Sequence, residues 1–284
     1  MLQVSVGHIK IIRPSYQYFP FLLSGLDFNE KIDSLHHCKE DDDYPLSHVY
    51  FIDSIGDKGA LRLAGALHTT ECPVVILNLY DNRIGNVGVS SICKSLRNIS
   101  YTLEGIDLRW NKIGDKGAAR LSDALADKSY TRSLEKLYLD GNKLGNDGVQ
   151  RLAEAIEINK ESKIKVLHLS HNKIGDKGAI SLAKMIEKNT TIKEMSLNSN
   201  RISDKGLRRL LEAVKKNTSI EKLDLRSNAA LGKREVKSSM DRNVQTEQLK
   251  FSTNQNTTAV GENTHENNSF SSFESNNSRT IFLR

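Results

Sequence analysis

LEGIDLRWNKIGDKGAARLSDAL, residues 103–125, is one unit of a pattern that runs through most of this chain. The eight residues NKIGDKGA at Asn111–Ala118 return letter for letter at Asn172–Ala179, and a near copy, DSIGDKGA, stands at Asp53–Ala60. Two glycines three apart beside a lysine admit two readings: a loop that cradles a phosphate, or the punctuation of a repeat. Internal periodicity decides between them. The residue two before the isoleucine or its equivalent is Asp53, Asn82, Asn111, Asn142, Asn172, Asn200 and Asn228, at intervals of 29, 29, 31, 30, 28 and 28 residues.

Ahead of each Asn lies L-x-x-L-x-L, as in Leu103, Ile106, Leu108 and again in Leu134, Leu137, Leu139. The first unit, with His48, Tyr50 and Asp53, keeps the frame but loses the leucines, as a terminal repeat does. Alternating L-x-L predicts a short strand with one face inward. After the turn, apolar columns recur in register: Leu63, Ile92, Leu121, Leu152, Leu182, Leu210, and four residues on Leu67, Leu96, Leu125, Ile156, Ile186, Val214. A spacing of four keeps both columns on one helix face. Cys93 falls in a column of small residues with Ala64, Ser122, Ala153 and Ala183, and reads as a buried spacer.

The unit resembles the leucine-rich repeat family in its long, ribonuclease-inhibitor-like form, with a helix in every repeat. The same class occurs in the sensor regions of nucleotide-binding innate-immune receptors and in activators of the nuclear-transport GTPase. The resemblance implies an α/β solenoid, a horseshoe with a parallel sheet on the concave face and helices on the convex face. It covers residues 48–228, about six to seven repeats of 28–31 residues.

A phosphate cradle repeated six times in a row is excluded by the same count, and no G-x-x-x-x-G-K-[ST] stretch exists. The Asn column (Asn82, Asn111, Asn142, Asn172, Asn200, Asn228) is read as structural, its amides satisfying backbone groups where the chain leaves the sheet. The first glycine of each turn is expected to permit a tight bend. Asp57, Asn86, Asp115, Asn146, Asp176 and Asp204 are expected to N-cap their helices.

Residues 1–47 do not fit the period and are expected to form an N-terminal cap or irregular segment, with Leu2, Val4, Val6, Phe19, Phe21, Leu22 and Leu23 as covering residues. The motif ends at Asn228. Residues 229–284 are read as a cap remnant followed by a disordered Asn/Ser-rich tail, too poor in apolar residues to repay ordering entropy.

Charge places weak limits on function. The 284 residues carry 41 basic and 35 acidic side chains, a net +6 without a clustered basic face of the kind nucleic-acid binders show. Three cysteines (Cys38, Cys72, Cys93) have no metal-ligand spacing and read as a reduced, cytoplasmic chain. No apolar run reaches the roughly 18 residues of a membrane span, and no secretory signal is expected. Nothing in the composition excludes or supports a secreted bacterial effector.

Function is expected on the sheet's open face. The residues between and after the leucines vary from unit to unit, so the fold does not dictate them. Tyr80, Arg109, Trp110, Tyr138, Asp140, His168, His171, Asn198 and Arg226 are the candidate partner-binding residues. Trp, Tyr and Arg are the side chains that dominate interface energetics. The local alternative is Trp110 packing over the strand-to-turn corner and Arg109 pairing with Asp140. His168 and His171 lack companions at metal-ligand spacing, and His36–Asp43 reads as a solvated acidic loop.

The expectation is a non-catalytic protein–protein interaction scaffold, a monomer with no cofactor, metal, nucleic acid or membrane partner. A basic row after the Asn column, Arg83, Lys112, Lys143, Lys173 and Arg201, supports an alternative: a GTPase-activating regulator acting from the loop rim on a small GTPase.

Overall fold

The computed structural model describes residues 3–6, 9–12, 28–37, 48–51, 54–71, 73–127, 129, 132–228, 249–252 and 279–282. Strands β1 (Gln3–Val6) and β2 (Ile9–Ile12) form an antiparallel pair of their own. Helix α1 (Phe28–His37) follows. Six strand–helix units and a seventh strand then follow, beginning with β3 (His48–Tyr50) and α2 (Gly56–Thr69). They continue as β4 (Ile76–Asn78), α3 (Asn86–Ser95), β5 (Gly105–Asp107), α4 (Asp115–Ala126), β6 (Lys136–Tyr138) and α5 (Asn146–Ile158). The last are β7 (Val166–His168), α6 (Asp176–Lys188), β8 (Glu194–Ser196), α7 (Asp204–Lys216) and β9 (Lys222–Asp224).

The strands β3 to β9 are parallel and adjacent in chain order, with the central apolar residues in register: Val49, Leu77, Ile106, Leu137, Leu167, Met195, Leu223. All seven are buried, and the helix columns close on them from one side. Neighbouring strands sit about 4.8 Å apart while packed helices need about 8–10 Å. A stack of such units therefore bends with its sheet inside. Beyond β9 the order changes: β11 (Arg279–Phe282) pairs with β9 and β10 (Leu249–Ser252) with β11, both parallel. The rest of the tail expectation lies outside the described residues.

The first unit departs from its expected frame. Val49, not His48 or Tyr50, pairs with Leu77, and Val49 and Phe51 are the buried residues. The turn that follows is one residue shorter than in the other units, and a one-residue slip sends every strand side chain to the opposite face. Helix α1 covers this end of the stack. Ile32 and Leu35 are buried, the Phe28 and Phe51 rings lie 5.6 Å apart, and Thr70 Oγ1 donates to the Leu35 carbonyl at 2.7 Å. The covering residues expected from Leu2 to Leu23 lie outside those whose side chains are described.

The turns explain NKIGDKGA in a way the sequence did not. The N-caps of α3 to α7 are Gly85, Gly114, Gly145, Gly175 and Ser203; Asn86, Asp115, Asn146 and Asp176 stand one residue inside their helices and Asp57 two inside α2. Their side chains reach forward and cap the next unit. Asp115 Oδ1 accepts from Gly145 N at 2.6 Å and Gly148 N at 3.1 Å; Asn86 Oδ1 accepts from Gly114 N at 2.8 Å and Gly117 N at 2.9 Å. Asp57, Asn146 and Asp176 repeat the arrangement. Asp204 makes no such bond among the described residues.

The reason for the glycines changes accordingly. Gly114 and Gly145 have φ of −106° and −103°, open to any residue. Room is what requires the second glycine of each pair: a β-carbon at Gly148 would lie 2.6 Å from Asp115 Oδ1 and 2.9 Å from Ala118 Cβ.

The Asn column ties the units at the other end of the turn. Asn142 Nδ2 donates to the Leu108 carbonyl of the preceding unit at 2.8 Å and to Leu139 at 3.1 Å, while its Oδ1 accepts from Ile113 N at 3.0 Å. Asn111, Asn172, Asn200 and Asn228 make the same bonds. On the opposite edge, Asn159 and Asn217 donate to Leu125 and Ile186 carbonyls at 2.8 and 2.6 Å, a second set of cross-unit ties.

Candidate functional site

Strand register sets three rows of side chains on the open face of the sheet. Tyr50, Asn78, Asp107, Tyr138, His168, Ser196 and Asp224 form the middle row. Strand alternation puts Ile76, Gly105, Lys136, Val166, Glu194 and Lys222 on one side of it. Tyr80, Arg109, Asp140, Ser170, Asn198 and Arg226 stand on the other.

Arg109 is the centre of the first cluster. Its Nε lies 3.0 Å from both oxygens of Asp107 and its Nη2 2.6 Å from Oδ2. The partner is therefore Asp107 on the same strand, not Asp140. The guanidinium also sits 5.5 Å from the Tyr80 ring centroid and 5.3 Å from that of Tyr138. Burial alone would lower the Arg109 pKa, but the bond and charge of buried Asp107 outweigh it and raise it. Burial pushes the Tyr138 hydroxyl up to about 12. The result is an arginine placed between two aromatic rings, its charge already matched. Such a group loses little freedom when a partner covers it.

Tyr138 carries the contact onward: the His168 ring meets it edge-on at 5.0 Å. His168 Nε2 is 3.1 Å from Glu194 Oε1, and that bond, with Lys222 at 3.6 Å, holds the Glu194 carboxyl below its usual range. His168 Nδ1 faces Asp140 Oδ2 at 3.9 Å. Asp140 Oδ1 accepts from Ser170 N at 2.8 Å, but Oδ2 is buried without a hydrogen-bond partner, and burial raises this carboxyl's pKa.

Farther along, Ser170 and Ser196 hydroxyls lie 2.6 Å apart, and Asn198 Nδ2 donates to Asp224 Oδ2 at 2.9 Å. Arg226 grips Asp224 at 2.9 and 2.7 Å. Burial would raise the Asp224 pKa, and the bonds from Arg226 and Asn198 lower it.

Trp110 occupies the corner where strand becomes turn. Asp81, Trp110, Gly141, His171, Ser199 and Ser227 all have φ between 52° and 67°. Gly141 is the glycine of this row, and the indole fills the space it leaves: a β-carbon there would meet Trp110 Cδ2 at 2.5 Å. The indole lies 5.5 Å from the His171 ring and remains 46% exposed. Local packing and exposure thus coexist in one side chain. His168 and His171 face different neighbours, so the geometry does not bring them together as a ligand pair.

The same units are recognised independently of this geometry. A family model described as "Leucine Rich repeat" matches residues 72–93, 102–122, 131–153, 161–183 and 188–211. These units are leucine-rich repeats. Over 135 residues the chain is 29% identical to the mouse (Mus musculus) "NACHT, LRR and PYD domains-containing protein 12" and 27% identical to the human (Homo sapiens) protein of that name. Each match covers 48% of this chain and 12% of the relative, so the chain spans about an eighth of the length of the curated relatives it matches. Among solved structures, "Leiomodin-1 Actin-Binding Site 2" aligns at 18% identity and TM-score 0.42 over 67% of this chain and 88% of its own. An internalin from Listeria monocytogenes aligns at 19% identity and TM-score 0.39 over 63% of this chain and 47% of its own.

Leucine-rich repeats are generally protein-interaction modules, which suits a face whose polar groups are arranged side by side rather than around a cavity. No helix among the described residues is long and apolar enough to cross a membrane. Of the expected residues, Tyr80, Arg109, Tyr138, Asp140 and His168 form one continuous chain of contacts, Asn198 and Arg226 meet through Asp224, and Trp110 and His171 stand together at the corner. Glu194 and Lys222 were missed. The signal for them was available, because the residue two before the inter-leucine position faces the same way along a leucine-rich repeat strand.

Proposed function

We propose that this chain is a non-catalytic scaffold that binds another protein through the concave face of its repeats, as a monomer in the cytoplasm, without cofactor. The observation that carries the reading is the Arg109 clamp: a bidentate ion pair to Asp107 set between Tyr80 and Tyr138, with half-exposed Trp110 at the adjacent corner. Aromatic and arginine anchors that are already ordered are what concentrate binding energy in a few residues. Membership of the ribonuclease-inhibitor-like subclass belongs to the same proposal, supported by a full helix in the unit from α2 to α7.

The test compares wild type with a Tyr80→Ala/Trp110→Ala double variant in quantitative pull-downs from lysate. These substitutions leave no buried charge unpaired, and an unchanged melting temperature certifies the fold. Proteins retained by wild type should fall at least about thirtyfold in affinity with the variant, the effect of losing about 2 kcal/mol at an anchor. Equal retention by both forms overturns the concave reading. The alternative, regulation of a small GTPase from the rim, predicts faster GTP hydrolysis at catalytic amounts of this protein. The rim offers that reading exposed cations only.

A further inference from the structure

Arg83, Lys112, Lys143, Lys173 and Arg201 form a row that the fold does not explain. All five side chains are exposed, and none has an ion pair or hydrogen bond among the described residues. Their backbones are tied from unit to unit: Lys112 N donates to Ile84 O at 2.7 Å, Lys143 N to Ile113 O, Lys173 N to Leu144 O and Arg201 N to Ile174 O, each at 2.8 Å. The row therefore keeps the spacing of a parallel ladder, about 4.8 Å per unit, and spans roughly 19 Å over its four gaps.

Its surroundings add to the charge. Helices α3 to α7 begin three residues after each cation, so their positive ends lie on this rim. The carboxylates of Asp57, Asp115 and Asp176 offset the starts of α3, α5 and α7, whose N–H groups they accept from, while α4 and α6 are capped by neutral Asn86 and Asn146. Asp81, Asp147 and Asp204 remain, against Lys58, Lys116, Lys177 and Lys205 in the first helical turns.

We infer that this rim docks the acidic face of a helix belonging to a protein partner. Side chains three or four apart on a helix stand about 5–6 Å from one another, close to the spacing of the row. A strand presents same-face side chains about 6.6 Å apart, a poorer match. At 1.5 Å per residue, 19 Å corresponds to about 13 residues, with carboxylates near positions i, i+4, i+7 and i+11. The inference is independent of the concave-face reading, because the open-face cations Arg109, Lys222 and Arg226 each hold a carboxylate while the five cations of the rim hold none among the described residues.

The experiment uses the full chain and two fluorescent 15-residue peptides of equal composition. One carries glutamates on a single helical face, the other the same glutamates spread around the helix. The facial peptide should bind at least about tenfold tighter, with affinity falling as salt shortens the screening length from about 10 Å at 0.1 M. Lys112→Glu/Lys143→Glu/Lys173→Glu should abolish that binding, whereas Lys94→Glu/Arg151→Glu/Lys184→Glu on the convex helices should retain it. Tyr80→Ala/Trp110→Ala should also retain it, which separates failure here from failure of the concave reading. Equal affinity for both peptides, or equal loss in both charge-reversal variants, overturns the inference. Tighter binding of a DNA oligonucleotide, lost in the rim variant, would overturn it in favour of nucleic acid.

Discussion

The turn and the open face of the same repeat obey opposite rules. At the turn, Asn111, Asn142 and Asn172 occupy equivalent positions with equivalent bonds. On the open face, four residues upstream, Asp107, Tyr138 and His168 share a row and little else. The difference lies in what reads each side chain. An Asn amide satisfies backbone groups of two units at once, so the neighbouring repeat accepts no substitute. A side chain between the leucines meets other side chains and solvent, as Tyr138 and His168 do, or accepts from the N–H two residues on in its own unit, as Asn78, Asp107 and Asp224 do, so no neighbouring repeat's backbone dictates its identity.

The comparison breaks first at its strongest point. Asn142→Ala removes three donated bonds and one accepted bond at a buried site, leaving the Ile113 N–H without its partner and the Leu108 carbonyl with Asn111 Nδ2 alone. The expected cost is about 3 kcal/mol in urea unfolding, with a broadened transition as the units uncouple. A loss below about 1 kcal/mol would mean that packing alone holds the units together.

Gly148→Ala comes next, at about 2 kcal/mol for the overlap with Asp115 Oδ1 and Ala118 Cβ. Asp115→Ala alone should cost about 1 kcal/mol for the lost cap across the unit boundary. Because the carboxylate is part of what excludes the β-carbon, the double variant should lose less than the sum. Strict additivity would show that the glycine answers only to Ala118 and its own helix.

The smallest effect has the opposite sign. Asp140→Asn keeps an acceptor for Ser170 N and removes a buried charge whose Oδ2 has no partner. Its carboxyl pKa is raised in the folded chain, so ionisation costs stability at pH above that raised value and costs nothing below the ordinary 3.8. The variant should therefore gain about 1 kcal/mol at pH 7. That gain should shrink as pH falls through the folded pKa and vanish below the unfolded one. A gain that persists in acid would assign the effect to packing instead.

How much was legible beforehand follows the same division. The period, the strand and helix columns and the Asn row could be read because each is repeated, and repetition is visible without coordinates. The direction of the capping carboxylates could not: Asp115 serves Gly145, thirty residues on, and nothing local says so. The first unit's slipped frame was hidden because Val49 and Phe51 replace leucines before a shortened turn. The local alternative for Arg109 was a pair with Asp140, and it holds Asp107 instead, since alternation puts i and i+2 on one face of a strand. Glu194 went unnoticed because its row precedes the leucine.

The sequence by itself determined the architecture, because hydrophobic periodicity and turn residues act within one unit and recur until the pattern has no rival. Tertiary structure alone decided which polar groups meet. Those meetings, Asp115 with Gly145 and Gly148, Trp110 with Gly141 and His171, Tyr138 with Arg109 and His168, are set by stacking one unit on the next at strand spacing. A contact between residues thirty apart leaves no mark on either residue alone.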